Sequence, residues 1–332
     1  MPSRYFRDAF SELEPGHEIE YFEIAGDSAF TPSTPSERRL HEYLGAPAQL
    51  TARMAAVEVL AVHGAPVTEE VLDASRRLRL VCCARGGPVN VDVDAVTARG
   101  LPLVNTPGKN ADAVADLTLA LLVMLARGLP KAIRFLDQGR QVRDNWEGAR
   151  FMGLDLREHT LGLIGCGQVG LRVARRARAF GMAVLAYDPY VETAEVELVP
   201  TLAELLGRAD FVSLHARAAA ENEKLIDAEA LAAMKPGAFL VNTARESLVD
   251  EDALDAALAS GRLGGAALDV FEPGVAGERQ RLLRHPNVVL TPHVGGATAQ
   301  TLLQGTRMIA DEILRLAAHE PLVNVVNGAV RA

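Results

Sequence analysis

The sequence predicts an α/β protein in which one parallel-sheet domain is inserted into a second, smaller one. Three observations predict it. Short apolar runs alternate with helical stretches along most of the chain, a pattern that yields parallel sheets with crossover helices. A glycine turn, Gly165-Cys-Gly-Gln-Val-Gly170, follows one apolar run and opens a helix. The turn begins at residue 165 of 332, so a long stretch precedes it and must build something else.

The length suggests about two domains, each able to bury its own core. A net charge of −9, from 34 Lys and Arg against 43 Asp and Glu, argues against nucleic acid or an anionic membrane as the main partner. The N-terminus lacks a basic segment followed by an apolar one, so no secretory signal is expected. No apolar run is long enough to span a bilayer. The longest, around Ala113 to Ala126, is interrupted by Asp116 and Thr118. Cys82, Cys83 and Cys166 form neither a metal spacing nor a disulfide framework. A reducing, cytoplasmic setting fits, and no metal is expected.

The elements follow in order. Met1 to Phe10 reads as a loop and then a helix, and Ile19 to Ile24 as a strand. Thr31 to Ser36 is rich in turn residues, with Ser36 a candidate helix cap. Val57–Val62 is a strand, Thr68–Ser75 a helix capped by Thr68, and Leu78–Ala84 a strand ending in Arg85-Gly-Gly-Pro88. A helix over Asp92–Arg99 and a strand over Leu101–Val104 complete this part. Asn105-Thr-Pro-Gly108 marks a break. The helix after it, Ala111 to Arg127, is apolar on nearly all sides, so its own sheet and a second subunit are expected to cover it. Strands are then expected at 161–165, 184–188, 211–215, 238–242, 265–269 and 288–291. A helix over Thr298–Ala318 and a strand-like tail, Val323–Val326, end the chain. The two crossings between lobes fall near 105–110 and 293–298.

The glycine turn carries chemistry. Gly165 permits a tight turn, Gly167 lets backbone approach a pyrophosphate, and Gly170 lets helix and strand pack closely. The helix start supplies free N–H groups to phosphate. Asp188 ends the next strand, where its carboxylate can accept from a ribose 2′-hydroxyl. A dinucleotide site needs these parts in this order.

Three further segments end strands at the sheet edge where ligands bind. Asn242-Thr-Ala-Arg245 offers a guanidinium that can clamp a carboxylate and polarise a carbonyl. Ala267-Leu-Asp269 offers a carboxylate that can accept from a nicotinamide carboxamide. Thr291-Pro-His293 offers an imidazole, which titrates near neutrality and suits proton transfer.

With these runs, and with Asn105-Thr-Pro-Gly108, Phe151-Met-Gly153, Val249-Asp-Glu251 and Ala267-Leu-Asp-Val-Phe271, the chain resembles the D-isomer-specific 2-hydroxyacid dehydrogenases, above all their phosphoglycerate-dehydrogenase-like members. The resemblance runs from about Val57 to Asn327. It implies a Rossmann NAD-binding domain (108–296) inserted into a smaller, flavodoxin-like α/β substrate domain (1–107 and 297–332). It implies that Arg245 binds the substrate carboxylate and oxo group, while His293 serves as acid and base during hydride transfer at carbon 2. Asp188 would select NAD over NADP. Gln168, Val169, Gly86, Ala216, Thr243 and Asp269 fall where relatives contact the cofactor. A small-molecule 2-oxo or 2-hydroxy acid and a homodimer follow from the same resemblance.

The chain departs from its relatives at several places. Their His-pairing glutamate would fall at Gly274; the nearest carboxylate is Glu272. Either Glu272 reaches His293, or the histidine works without a carboxylate, or the protein is an NAD(H)-sensing binder with weak or lost turnover. Glu246 stands where Gly usually follows the arginine, and Arg217 replaces a common Pro. The loop whose backbone N–H groups hold the substrate carboxylate in relatives reads Ala84-Arg-Gly-Gly-Pro88 here. Gly86 and Gly87 keep that role, and Arg85 adds a guanidinium for a second anionic group, or faces solvent or an acid of its own lobe. Trp146 reaches a partner subunit's pocket or simply packs. The first strand of relatives is absent: either the start is assigned late, or the small domain lacks that strand. With a late start, Arg4 falls on a loop over the cleft.

Overall fold

A computed structural model of the chain describes residues 2–24, 31–41, 43–140, 147–192, 195–271 and 281–328. The chain divides into two compact units: Met1–Lys109 with Thr298–Ala332, and Asn110–Ala297.

The first unit holds a three-stranded parallel sheet in the order β1 (Val59–Val62), β2 (Leu80–Cys83), β3 (Leu103–Val104). Its helices are α1 (Arg4–Phe10), α2 (Pro35–Arg38), α3 (Pro47–Thr51), α4 (Glu69–Asp73) and α5 (Val93–Ala98). Alternation along β2 decides its two faces. Val81 and Cys83 pack with Val71, Leu72 and Val96, whereas Leu80 and Cys82 pack with Phe10, Leu13 and Ile309. The second face is covered by α1 and by the long helix that returns to this unit, over Ala299–Ala317.

Ile19 to Ile24 is not a strand: Ile19 and Tyr21 lie against the core beside Phe10 without pairing to a neighbour. Apolar alternation there reflects one-sided packing, not a ladder. Ser36 is not the cap of α2. Thr34 is, with Glu37 reaching back in a capping box. The Ser36 hydroxyl instead donates to buried Asp92 at 2.5 Å and accepts from the Glu69 N–H at 3.0 Å. Ser36 thereby satisfies a donor at the start of α4, and Thr68 makes no side-chain cap bond. The tail expected as strand-like makes a single antiparallel bridge, Val104 to Val325. Buried Glu312 fixes it by accepting from the N–H groups of Val323 and Asn324 at 3.0 and 2.9 Å.

The second unit holds α6 (Ala111–Ala126), α7 (Leu129–Asp137), β4 (Thr160–Ile164), α8 (Gln168–Ala179), β5 (Ala183–Tyr187), β6 (Glu197–Leu198), α9 (Leu202–Arg208), β7 (Phe211–Leu214), α10 (Ala228–Ala233), β8 (Phe239–Asn242), α11 (Glu251–Ala259), β9 (Gly265–Leu268) and β10 (Val288–Leu290). The returning helix of the first unit is α12. The strands form one parallel sheet in the order β10-β9-β8-β7-β4-β5-β6. The short edge strand β6 was not legible in the sequence. Order reverses on either side of β4, and a crevice for ligands opens at such a switch point.

Helices cover both faces. On one, α6 and α8 bury Leu161, Leu163, Val173 and Phe211; on the other, Val212, Leu214, Leu240 and Leu254 pack together. The unit itself buries most of α6; Asp116 interrupts the apolar run on an exposed line with Asp112, whereas Thr118 is buried and its hydroxyl bonds the Val114 carbonyl and Thr243. Asp112 and Asp116 pair with Arg172 and Arg176 of α8 at 2.6 to 3.0 Å. Part-exposed pairs of this kind contribute about 1 kcal/mol or less each. No single helix among the described residues is long and apolar enough to cross a membrane. The pair α6 and α7 passes by length and composition, but it bends by 73°.

Candidate functional site

The second unit gathers its candidate side chains along the carboxyl edge of its sheet. In spatial order they follow β10 (His293), β9 (Asp269), β8 (Thr243 to Arg245), β7 (Ala216), β4 (the glycine turn) and β5 (Asp188). At about 4.8 Å per strand, Asp188 and Asp269 end strands about 19 Å apart. Arg245 and His293 follow strands about 10 Å apart.

The glycine turn fits a pyrophosphate. Gly165 has φ +96°, and a Cβ there would lie 2.7 Å from the Ala216 nitrogen. A Cβ on Gly170 would lie 2.3 Å from the Gly165 carbonyl oxygen, so only glycine lets α8 lie this near β4. Gly167 is different: a Cβ there would meet nothing within 4 Å. Backbone faces open space at that point. Gly167 caps α8 without a side-chain bond, which leaves the N–H groups of the first turn for an anion. Gln168 is exposed and its Oε1 accepts from Arg172 at 2.8 Å; Val169 is half-buried.

Asp188 is tied to this turn. Its carboxylate accepts from the Cys166 N–H at 2.8 Å and from the Tyr190 N–H at 3.0 Å. A carboxylate has about four acceptor positions, so two remain for a ribose hydroxyl.

At β8, buried Asn242 shapes the turn that presents Arg245. Its amide donates to the Arg245 carbonyl at 2.7 Å and accepts from the Ala244 N–H at 3.0 Å. The Arg245 side chain is exposed, with Nη1 donating to the Ala244 carbonyl at 2.7 Å. Most of its five donors therefore stay available for a planar anion. Thr243 is buried and shares a 3.0 Å bond with Thr118 of α6.

At β9 and β10, Asp269 organises the loop that carries His293. Oδ1 accepts from the Thr291 hydroxyl at 2.6 Å and the Val294 N–H at 2.8 Å; Oδ2 accepts from the Gly295 N–H at 2.8 Å. The Asp269 carbonyl takes the His293 N–H at 2.9 Å. His293 has φ +55°, a conformation rare outside glycine, and this cage holds it there. A Cβ on Gly295 would lie 2.8 Å from Asp269 Oδ2. The sequence alone aims Asp269 at a carboxamide; three donors leave it about one acceptor position for such a contact. The His293 imidazole is exposed, and neither ring nitrogen has a hydrogen-bond partner among the described residues. Glu272, Gly274 and Trp146 lie outside the described residues.

Residues 119–295 match the family model described as D-isomer specific 2-hydroxyacid dehydrogenase, NAD binding domain. A glyoxylate reductase of Korarchaeum cryptofilum is 38% identical over 80% of this chain and 81% of its own. The chain belongs to the D-isomer-specific 2-hydroxyacid dehydrogenases. A D-3-phosphoglycerate dehydrogenase of Methanocaldococcus jannaschii is 39% identical over 84% of this chain, but only 53% of its own length. The chain thus spans about half the length of several curated relatives it matches. Among solved structures, a protein of Thermus thermophilus superposes with a TM-score of 0.76 at 34% identity, covering 96% of each chain. The second unit is this family's nicotinamide-dinucleotide domain, and its glycine turn, open at Gly167, fits that cofactor.

The first unit carries Arg85, Gly86 and Gly87 in the loop after β2, with Gly86 the one expected cofactor contact that lies outside the second unit. Two neighbours of that loop were not legible in the sequence. Lys109 donates to the Ala84 carbonyl at 2.5 Å. His63 follows β1 and is half-buried. Burial, reinforced by Lys109 and Arg85, pushes His63 down to about 3. Burial also lowers Lys109 to about 8. Also missed were Asn242, which the Asn-Thr-Ala-Arg run signalled, and His215, whose Nε2 lies 3.0 Å from the Ser213 hydroxyl. Burial pushes His215 down to about 3, and its Nδ1 has no partner among the described residues.

Proposed function

We propose that this chain is an NAD-dependent oxidoreductase that interconverts a small 2-oxo acid and the D-2-hydroxy acid. One observation carries the reading: Arg245 and His293 are presented two strands apart on the carboxyl edge of a dinucleotide-binding sheet. NADH, when bound, supplies the hydride for carbon 2. Asp188 accepts from the ribose 2′-hydroxyl and repels a 2′-phosphate, which favours NAD over NADP. Arg245 pairs with the substrate carboxylate and stabilises negative charge as it develops on the carbon 2 oxygen. His293 gives its ring proton to that oxygen and takes it back in the oxidative direction. Asp269 holds His293 through the loop backbone, a role that does not require Glu272.

A second reading, an NAD(H)-sensing binder, draws on the sequence, which has Gly274 where relatives carry the glutamate that pairs with the catalytic histidine. NADH oxidation with a panel of 2-oxo acids separates the two. Turnover supports the dehydrogenase; tight NADH binding without turnover on any acid supports the sensor.

A homodimer is part of the proposal. Leu129, Ile133 and Leu136 form an i, i+4, i+7 stripe on α7 and are 38%, 48% and 57% exposed, with Met152 at 84%. Such a stripe needs a partner surface. A cytoplasmic location is supported by Cys82, Cys83 and Cys166, which are all free thiols.

A further inference from the structure

We infer that Arg217 is a cofactor-binding residue whose guanidinium pairs with the pyrophosphate held at the glycine turn. The inference rests on the cofactor half of the reading above and is independent of turnover. It lies wholly within the second unit. Arg217 stands where the resemblance places a proline, and nothing in the proposed chemistry uses it.

Backbone contacts put Arg217 beside the turn. β7 is a direct neighbour of β4, about 4.8 Å away. The His215 N–H donates to the Ile164 carbonyl at 2.7 Å, so pairing with β4 continues past the end of β7. Ala216 then meets the turn itself: its nitrogen lies 2.7 Å from where a Cβ on Gly165 would stand. Arg217 is the next residue, and its loop is braced. The Asn222 amide donates to the Arg217 carbonyl at 2.8 Å, and its oxygen accepts from the Ala219 N–H at 2.8 Å. Asp188 approaches the same turn from β5, through the Cys166 N–H. A carboxylate thus flanks the turn on one side and the backbone leading to Arg217 on the other.

Charge supplies the reason for a cation there. A dinucleotide pyrophosphate is a dianion, and it comes to rest near the Asp188 carboxylate. The start of α8 offsets only about half a charge, and Gly165-Cys-Gly-Gln-Val-Gly170 contains no cationic side chain. Three arginines of α8 are already spent. Arg172 bonds Asp112 and Gln168, Arg175 pairs with Glu195, and Arg176 pairs with Asp112 and Asp116. Arg217 differs: it is exposed, and its guanidinium has no hydrogen bond or ion pair among the described residues. Its five donors form a planar fork that matches phosphate oxygens. Asp188 opposes a 2′-phosphate on the neighbouring ribose, so the pyrophosphate is the anion that remains.

The test uses the intact chain and needs no catalysis. Dissociation constants of NADH, ADP, adenosine and 2′,5′-ADP are measured by calorimetry for the wild type, Arg217→Pro, Arg217→Ala and Arg217→Lys. Proline is the relatives' residue, and the Arg217 N–H has no acceptor among the described residues, so Arg217→Pro removes the charge while keeping the loop. Arg217→Pro and Arg217→Ala should raise the constants for NADH and ADP about tenfold, the size of one lost charge-assisted bond, and leave adenosine unchanged. Arg217→Lys keeps the charge but not the fork, and should fall between. Unchanged constants for NADH and ADP in both neutral variants overturn the inference. So does a rise confined to 2′,5′-ADP, which places the guanidinium at a 2′-phosphate. An equal rise for adenosine also overturns it, because the loop and not the charge was then lost. A wild type that binds none of these ligands overturns the cofactor reading together with the inference. NADH bound without turnover of any acid leaves the inference standing and fails the dehydrogenase reading alone.

Discussion

Asp188, Arg245 and His293 each follow a strand at the carboxyl edge of the second unit's sheet, the edge where ligands bind. The roles proposed for them yield direct predictions. Arg245→Lys keeps the charge but loses the planar fork, and should lower kcat/KM about 100-fold or more. His293→Asn should lower kcat about 100-fold or more while NADH still binds, as expected when a general acid is removed. Asp269 separates two roles. If it anchors the His293 loop, Asp269→Asn should lower kcat about tenfold, the size of one lost charge-assisted bond, with a smaller change in NADH affinity. A loss of NADH affinity as large as the loss in kcat would return Asp269 to the nicotinamide. Lys109 and His63 were not legible, because each joins the Arg85 loop only through folding of distant segments.

At the scale of elements, the sheet of the second unit was legible almost strand by strand, since each fully buried strand leaves a continuous apolar run. The exception, β6, is two residues long and lies at the edge, where burial imposes little pattern. Ile19 to Ile24 misled for the opposite reason: side chains packed on one face alternate whether or not their backbone pairs. The cap of α2 was missed by two residues, because Ser36 serves the start of α4 instead. The glycine turn gives the sharpest test of an element. Gly170→Ala places a methyl 2.3 Å from the Gly165 carbonyl oxygen. It should destabilise the second unit by about 1–3 kcal/mol and weaken NADH binding in calorimetry. Undiminished NADH affinity would mean that the turn does not hold the phosphates.

For the whole molecule, two half-buried, desolvated imidazoles set a pH limit. His63 and His215 each lie at about 3, below the free value of about 6.5. As pH falls, the unfolded chain takes up these protons before the folded one. The contribution of these two histidines is therefore flat above about pH 6.5 and falls between there and about pH 3, by up to about 1.4 kcal/mol per pH unit for each. Urea unfolding at pH 7, 6, 5 and 4 should show this slope, and His215→Gln should flatten it by one histidine's share. A wild-type stability independent of pH in this window would rule out neutral burial. The returning helix α12 and the tail pinned by Glu312 close the first unit around its sheet. The inserted second unit carries the sheet edge of the NAD-binding domain.

The central question is whether that edge performs chemistry. The most direct measurement follows NADH oxidation by the intact chain with a panel of 2-oxo acids and determines the chirality of the product. The proposed dehydrogenase function predicts saturable turnover with NADH favoured over NADPH, and a D-2-hydroxy acid as product. Saturable NADH binding with no turnover on any acid, or an L-product, would contradict it.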